Sequence, residues 1–293
     1  MLIKKYRRRI SHKPILIAIF KDLIMQLLKD KIIFLTGGSK GIGLECAKKY
    51  IEAGALVMVA ANDAASLAGS IELLGNKSRG ILCDVSRSVD VEDAIRLTLE
   101  NYGRIDVIHN NAGIAHPSRP VHQTEETEWD ALFDTNLKSI FFTTRYGLEA
   151  LKLSEGCILN TSSLVGEIGQ ENHAAYAATK GAINALTKSM ALDYAPYKIR
   201  VNAVAPAGVW TPMLREWGQS RKDAADIERY LDGIHALGYC PEGDVVADAC
   251  VFLVSEKARF ITGNILPVSG GAELGYRRIL YPGPAAEKIN DNF

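Results

Sequence analysis

The chain has 293 residues, 34 Lys plus Arg against 34 Asp plus Glu, and 47% apolar residues. These are the proportions of a globular protein, not of a disordered or fibrous one, and the balanced charge excludes the marked basic excess of a nucleic-acid binder. The zero is an average: residues 1–13 hold Lys4, Lys5, Arg7, Arg8, Arg9 and Lys13 and no acid, while the other 280 residues carry 28 basic and 34 acidic groups, a net of −6.

Residues 1–29 read as a basic and apolar extension. The apolar stretch 15–20 has six residues before Lys21 and Asp22 interrupt it, against the roughly 20 needed to span a bilayer. No small-residue cleavage site follows it, and no membrane partner is expected. The readings left open are a start at Met25 with residues 1–24 upstream of it, an arm that contacts other subunits, and a peripheral membrane contact. Five cysteines, Cys46, Cys83, Cys157, Cys240 and Cys250, are an odd number without C-x-x-C spacing. They fit neither a disulfide framework nor a zinc site; a cytoplasmic location and no metal are expected.

From Asp30 onward, short β-branched runs alternate with longer amphipathic stretches, which predicts parallel strands joined by helices. The predicted strands are 31–36, 55–60, 79–83, 105–110, 157–161, 199–204 and 264–268. Strands covered on both faces need not alternate with polar residues. No Pro/Gly/Ser-rich linker breaks the series, so residues 30–278 read as one α/β domain with a Rossmann-type doubly wound parallel sheet of about seven strands. Residues 279–293 read as an extended tail.

The first strand runs into Thr36-Gly-Gly-Ser-Lys-Gly-Ile-Gly43, followed by a helical stretch, 44–53. Glycines at 37, 41 and 43 let the backbone turn sharply and approach a pyrophosphate, and the helix N-terminus aims amides and a positive dipole end at the anion. Tyr176 and Lys180 are four apart on another predicted helix, so both rise from one face. A free tyrosine titrates near 10. An ammonium about 4 Å from the phenolate contributes roughly 4 kcal/mol at an effective dielectric of 20, or about three pKa units before desolvation subtracts. That predicts a tyrosine usable as a general base or acid near neutrality.

These segments resemble the short-chain dehydrogenase/reductase family, single-domain type, and the resemblance covers residues from about 30 to 278. It implies a nicotinamide cofactor, NAD or NADP, held by Gly37, Ser39, Lys40, Gly41, Ile42 and Gly43, and by Asn62. It further implies Asp84 and Val85 at the adenine, the Asn111-Ala112-Gly113 turn along the cofactor, Tyr176 and Lys180 below it, and Pro206, Val209 and Thr211 in the loop over the nicotinamide. Implied catalytic residues are Asn136, Ser163, Tyr176 and Lys180, with Asn136 holding a water. Ser163 lies 13 residues before Tyr176, the family's usual separation; adjacent Ser162 is assigned the structural place.

In this fold an acid at the end of the second strand holds the adenosine ribose. Here that position is Ala61, followed by Asn62-Asp63, with Lys40 near enough to meet a 2′-phosphate; the choice between NAD and NADP stays open. The strings 163–170, 177–181, 210–212 and 269–276 are similar to the branch that holds L-fucose dehydrogenases, also described as 17-beta-hydroxysteroid dehydrogenases. That branch implies oxidation of a secondary or anomeric hydroxyl on a sugar, with Ser163, Gln170, Tyr176 and Trp217 toward the small-molecule substrate. Ala61, and Ala207-Gly208 in place of a Gly-Asn pair, depart from it. Residues 213–237 read as a helical lid, and the resemblance implies a homotetramer built on the helix around 129–153 and the helix carrying Tyr176. Two alternatives remain: an NADPH-dependent ketoreductase on another carbonyl, and a non-catalytic cofactor-binding scaffold.

Overall fold

The computed structural model describes residues 26–116, 118–219 and 226–274. The basic run, the readings attached to residues 1–24 and the tail 279–293 lie outside the described residues. Leu28, on the extension side of the expected boundary at residue 30, is fully buried, and its N–H donates to Ala53 O at 2.9 Å.

Seven parallel strands form one sheet: β1 (Ile32–Thr36), β2 (Leu56–Ala61), β3 (Ser78–Leu82), β4 (Val107–Asn110), β5 (Cys157–Thr161), β6 (Arg200–Pro206) and β7 (Ile265–Val268). The spatial order is β3-β2-β1-β4-β5-β6-β7. All seven fall on the predicted runs, shifted by one or two residues at several ends. Every residue of β1 is buried, because helices cover both of its faces and apolar side chains are favoured on each. β3 is one of the two edge strands, and its Arg79 and Gly80 are exposed.

On one face lie α1 (Gly41–Glu52), α2 (Ala64–Leu74) and α9 (Asp244–Val254), packed through Cys46, Ala47, Tyr50, Leu67, Val246 and Cys250. On the other lie α3 (Ser88–Tyr102), α5 (Ser139–Ser154) and α6 (Ala174–Tyr194), packed through Val91, Ile95, Ile140, Leu151, Ile183 and Met190. The helix expected around 129–153 comprises α4 (Glu126–Phe133), a π-helical turn (Asp134–Lys138) and α5. Two short helices, α7 (Pro212–Gln219) and α8 (Ile227–Ile234), occupy the predicted lid region. The chain winds one way through β1, β2 and β3 and the other way through β4, β5 and β6. The resulting crevice lies beyond the C-terminal ends of β1 and β4, where open α/β sheets bind ligands.

Candidate active site

The Gly-rich turn leaves β1 with Gly37 at φ +65° and Gly41 at φ +55°, conformations that side-chain-bearing residues rarely adopt. Space makes the same demand. A Cβ on Gly37 would lie 2.8 Å from Ala112 Cα, and one on Gly43 would lie 2.1 Å from Gly37 O. Backbone therefore meets backbone where the first and fourth strands end. Lys40 at the N-cap of α1 makes no side-chain cap, and the first turn carries no acid, so no side chain of that turn competes for the amides that a pyrophosphate would take. On this geometry the turn fits the phosphates of a nicotinamide dinucleotide.

Hydrogen bonds tie the 111–113 turn to the phosphate loop. Asn111 N and Ala112 N donate to Thr36 Oγ1 at 3.0 and 3.1 Å, and Asn111 Nδ2 donates to Gly37 O at 3.1 Å. Thr211 lies against Gly41, its Cγ2 being 3.3 Å from where a Cβ would sit, so the loop after β6 reaches the start of α1. Pro206, the last residue of β6, and Val209 in that loop are buried. Val85 is buried, and Asp84 Oδ1 accepts from Ser86 N and Ser86 Oγ at 3.0 and 2.7 Å.

At the ribose end, Asn62 is exposed, and Ser39 Oγ is 3.3 Å from Ser66 Oγ. Asp63 caps α2 by accepting from Ser66 N at 2.9 Å and pairs with Lys40 Nζ at 3.4 Å. The Ser66 hydrogen bonds, followed by the Lys40 charge, hold its carboxyl below the ordinary value. Lys40, read in the sequence as a contact to a 2′-phosphate, thus engages Asp63.

Deeper in the crevice, Asn136 sits in the π-helical turn and is buried. Its Oδ1 accepts from Ile114 N at 2.8 Å, and its Nδ2 donates to Ile114 O at 2.9 Å and Thr179 Oγ1 at 3.1 Å. Lys180 is buried on α6 and donates from Nζ to Thr161 O at 2.8 Å. The same Nζ lies 5.6 Å from the centroid of the Tyr176 ring. Gly113 lies between these groups, a Cβ there falling 3.2 Å from Asn136 Oδ1 and 3.7 Å from Lys180 Nζ.

Electrostatics depart from the sequence expectation. Burial pushes the Tyr176 phenol up, with the Ser163 hydroxyl acting in the opposite direction. Burial also pushes the Lys180 ammonium down to about 8. Desolvation outweighs the attraction that the i, i+4 spacing suggests, because the ammonium is anchored on the Thr161 carbonyl and shares the phenol's dry surroundings.

The two serines diverge. Ser162 is buried, donating to Asn184 Oδ1 at 2.5 Å and Lys180 O at 3.2 Å. Ser163 lies on the Tyr176 side, its Oγ 3.4 Å from Pro206 O and accepting from Val165 N at 3.4 Å. Gln170 is exposed, and Trp217 is half-buried on α7.

Two features escaped sequence reasoning. Thr161 carries the Lys180 anchor on its carbonyl, while its hydroxyl lies 3.0 Å from His109 Nε2 and donates to Asn111 Oδ1 at 3.3 Å. Cys46, His109 and Cys250, far apart in the chain, meet in the core. Neither feature leaves a spacing signature, because the partners sit on separate elements.

A parallel sheet whose first turn fits dinucleotide phosphates, with a Ser/Tyr/Lys group at the same crevice, defines a nicotinamide-dependent oxidoreductase. Residues 37–273 match a family model described as Enoyl-(Acyl carrier protein) reductase. The chain is 40% identical to L-fucose dehydrogenase of Bos taurus over 85% of its own length and 91% of that protein. It is 36% identical to cyclopentanol dehydrogenase of Comamonas testosteroni over 84% of this chain and 98% of that one. It is also similar to the crystal structure of 3-ketoacyl-(acyl-carrier-protein) reductase from Brucella melitensis complexed with NADH, with a TM-score of 0.77 at 30% identity over 84% of this chain and 99% of that chain. The chain belongs to the short-chain dehydrogenase/reductase family and is an NAD(P)-dependent dehydrogenase acting on CH–OH groups.

Proposed function

We propose that the protein oxidises a secondary or anomeric hydroxyl of a sugar, with L-fucose as the model substrate. The observation that carries this reading is the Ser163, Tyr176, Lys180 and Asn136 group within a dinucleotide crevice; the likeness to an L-fucose dehydrogenase along most of both chains supports it. The chemistry the nicotinamide supplies is hydride exchange with the substrate carbon. Ser163 Oγ donates a hydrogen bond to the substrate oxygen and fixes the carbon for transfer. Tyr176 takes the hydroxyl proton in oxidation and returns one in reduction. Lys180, held by Thr161 O, stabilises the phenolate and meets the cofactor ribose. Asn136 keeps the π-helical turn open for a water that links Lys180 to solvent. Gln170 and Trp217 contact the remaining substrate hydroxyls.

The cofactor contacts are Gly37, Ser39, Lys40, Gly41, Ile42 and Gly43 at the phosphates, Asn62 at the ribose, Asp84 and Val85 at the adenine, Asn111, Ala112 and Gly113 along its length, and Pro206, Val209 and Thr211 over the nicotinamide. Residues 30–278 form the catalytic domain, with 1–29 as an extension and 279–293 as a tail. A homotetramer in the cytoplasm fits the five free, buried cysteines and exposed apolar residues on α5 and α6. A second reading, a ketoreductase using NADPH, is favoured by Ala61 and Lys40 at the ribose end. A screen of hydroxyl substrates by nicotinamide absorbance, L-fucose included and with NAD and NADP compared, separates the two. Turnover of L-fucose is expected; much tighter NADP binding together with carbonyl reduction alone would sink the sugar reading.

A further inference from the structure

The core holds a second concentration of chemistry-bearing groups, on the α1/α9 face of the sheet. Cys46 on α1, His109 on β4 and Cys250 on α9 bring two thiol sulfurs and an imidazole nitrogen within 4.8 Å of one another, and all three residues are buried. Tyr50, one turn along α1 from Cys46, is also fully buried, with its hydroxyl 3.0 Å from His109 Nδ1 and in contact with Cys250. Tyr50 thus marks Nδ1 as the nitrogen on the thiol side. The other ring nitrogen, Nε2, is 3.0 Å from Thr161 Oγ1, an arrangement that fixes the ring as outer partners fix metal-bound imidazoles. Both thiols are free of disulfide bonds.

We propose that Cys46, Cys250 and His109 form a binding site for one thiophilic divalent cation of the zinc class, with the Tyr50 hydroxyl at the fourth position. The donor set is that of a Cys2His site. Tetrahedral coordination at about 2.0–2.3 Å from the metal places donors about 3.5–3.8 Å apart, so side-chain rotations on the order of 1 Å close the site around an ion. Charge balances as well: the dication and two thiolates sum to zero, which a dry core tolerates where a lone charge would not. Binding converts two Cys S–H groups and one neutral imidazole into two metal–thiolate bonds and one metal–nitrogen bond. It releases two protons and changes no oxidation state.

The site reaches the catalytic crevice through the strand ends. Thr161 joins His109 to Asn111 on its hydroxyl and holds Lys180 on its carbonyl, and Asn111 holds the Gly37 carbonyl. An ion there clamps α1 to α9 and fixes the floor beneath the phosphate loop. The inference is independent of which alcohol the enzyme oxidises.

The test unfolds the full chain with a chelator and refolds it with Co2+ as the probe, alongside a metal-free control. One Co2+ per chain is expected, with a thiolate-to-cobalt charge-transfer band in the near ultraviolet and a thermal midpoint above that of the control. Cys46→Ala and Cys250→Ala should each lower the band about twofold, and His109→Gln should weaken uptake at least tenfold while keeping two thiolates. A folded wild-type chain that takes up less than a tenth of an ion overturns the proposal. So does a band that survives both cysteine substitutions, or a Cys46–Cys250 disulfide in place of the ion. If either cysteine variant fails to fold, wild-type stoichiometry and the His109→Gln comparison decide.

Discussion

At the residue scale, the serine pair separates chemistry from architecture. Ser163 stands beside Tyr176, whereas Ser162 is bound into Asn184 and the α6 backbone. Ser163→Ala should lower kcat about 10²–10³-fold, the range for loss of one donor to the reacting oxygen, with the thermal midpoint little changed. Ser162→Ala should instead leave kcat within a few-fold and destabilise by about 1–3 kcal/mol, because Asn184 Oδ1 loses a buried donor. Steady-state kinetics and thermal melts on both variants test the assignment, and reversed outcomes would exchange the two roles. Tyr176→Phe should cost about 10²–10⁴ in kcat with nicotinamide affinity retained. Lys180 gives a pH signature. Its folded-state pKa lies at about 8, below the ordinary 10.5, so in that window the unfolded chain binds more protons than the folded one. The penalty for burying the ammonium is complete below pH 8 and is relieved as pH rises toward 10.5. Wild-type stability should therefore gain with pH across that window relative to Lys180→Met, and parallel pH dependences in denaturant titrations would contradict it.

At the element scale, what reaches the crevice is set by turns. Gly43 cannot carry a methyl without striking Gly37 O; Gly43→Ala should weaken nicotinamide binding at least tenfold by prying α1 from β1. Gly69, in the middle of α2 with nothing within 4 Å of its notional Cβ, is the control. Gly69→Ala should stabilise by up to about 1 kcal/mol through helix propensity with binding unchanged in a nicotinamide fluorescence titration. Equal losses of affinity in both would mean that the phosphate loop yields to a methyl. The strands were legible in the sequence because burial on both faces writes unbroken apolar runs such as Ile-Ile-Phe-Leu at 32–35. The Tyr176 and Lys180 pairing was legible because one helix carries both. The π-helical turn at Asn136 (Asp134–Lys138) was not, because a one-residue widening of the helical ladder is set by packing and leaves no local pattern. The Thr161 anchor and the Cys46/His109/Cys250 meeting were hidden for a different reason: each depends on strand order, which puts β4 between β1 and β5 and no local pattern encodes. For the same reason the i, i+4 argument misjudged Tyr176, since desolvation is a property of the packed crevice and not of the spacing.

At the scale of the whole molecule, α5 and α6 cover the same face of the sheet, yet each leaves large apolar side chains in water. Leu153 is 90% exposed, Leu192 78% and Phe141 52%. In the tetramer proposed above these side chains would be covered, and about 25 cal/mol for each Å² covered favours association. Apolar contact of this kind fails when a carboxylate is placed inside it, since a buried unpaired charge is costly. Leu153→Glu combined with Leu192→Glu should therefore dissociate the assembly while leaving the fold and the catalytic groups in place. Light scattering on the wild type should give four times the 32.0 kDa chain mass, and the double variant should fall to a smaller species with an unchanged circular dichroism spectrum. Should Trp217 and Gln170 complete the substrate site within one chain, kcat per chain of the dissociated variant will stay within a few-fold of wild type. A wild type that runs at 32.0 kDa would remove the tetramer, and a double variant that remains tetrameric would move the contact surface away from α5 and α6.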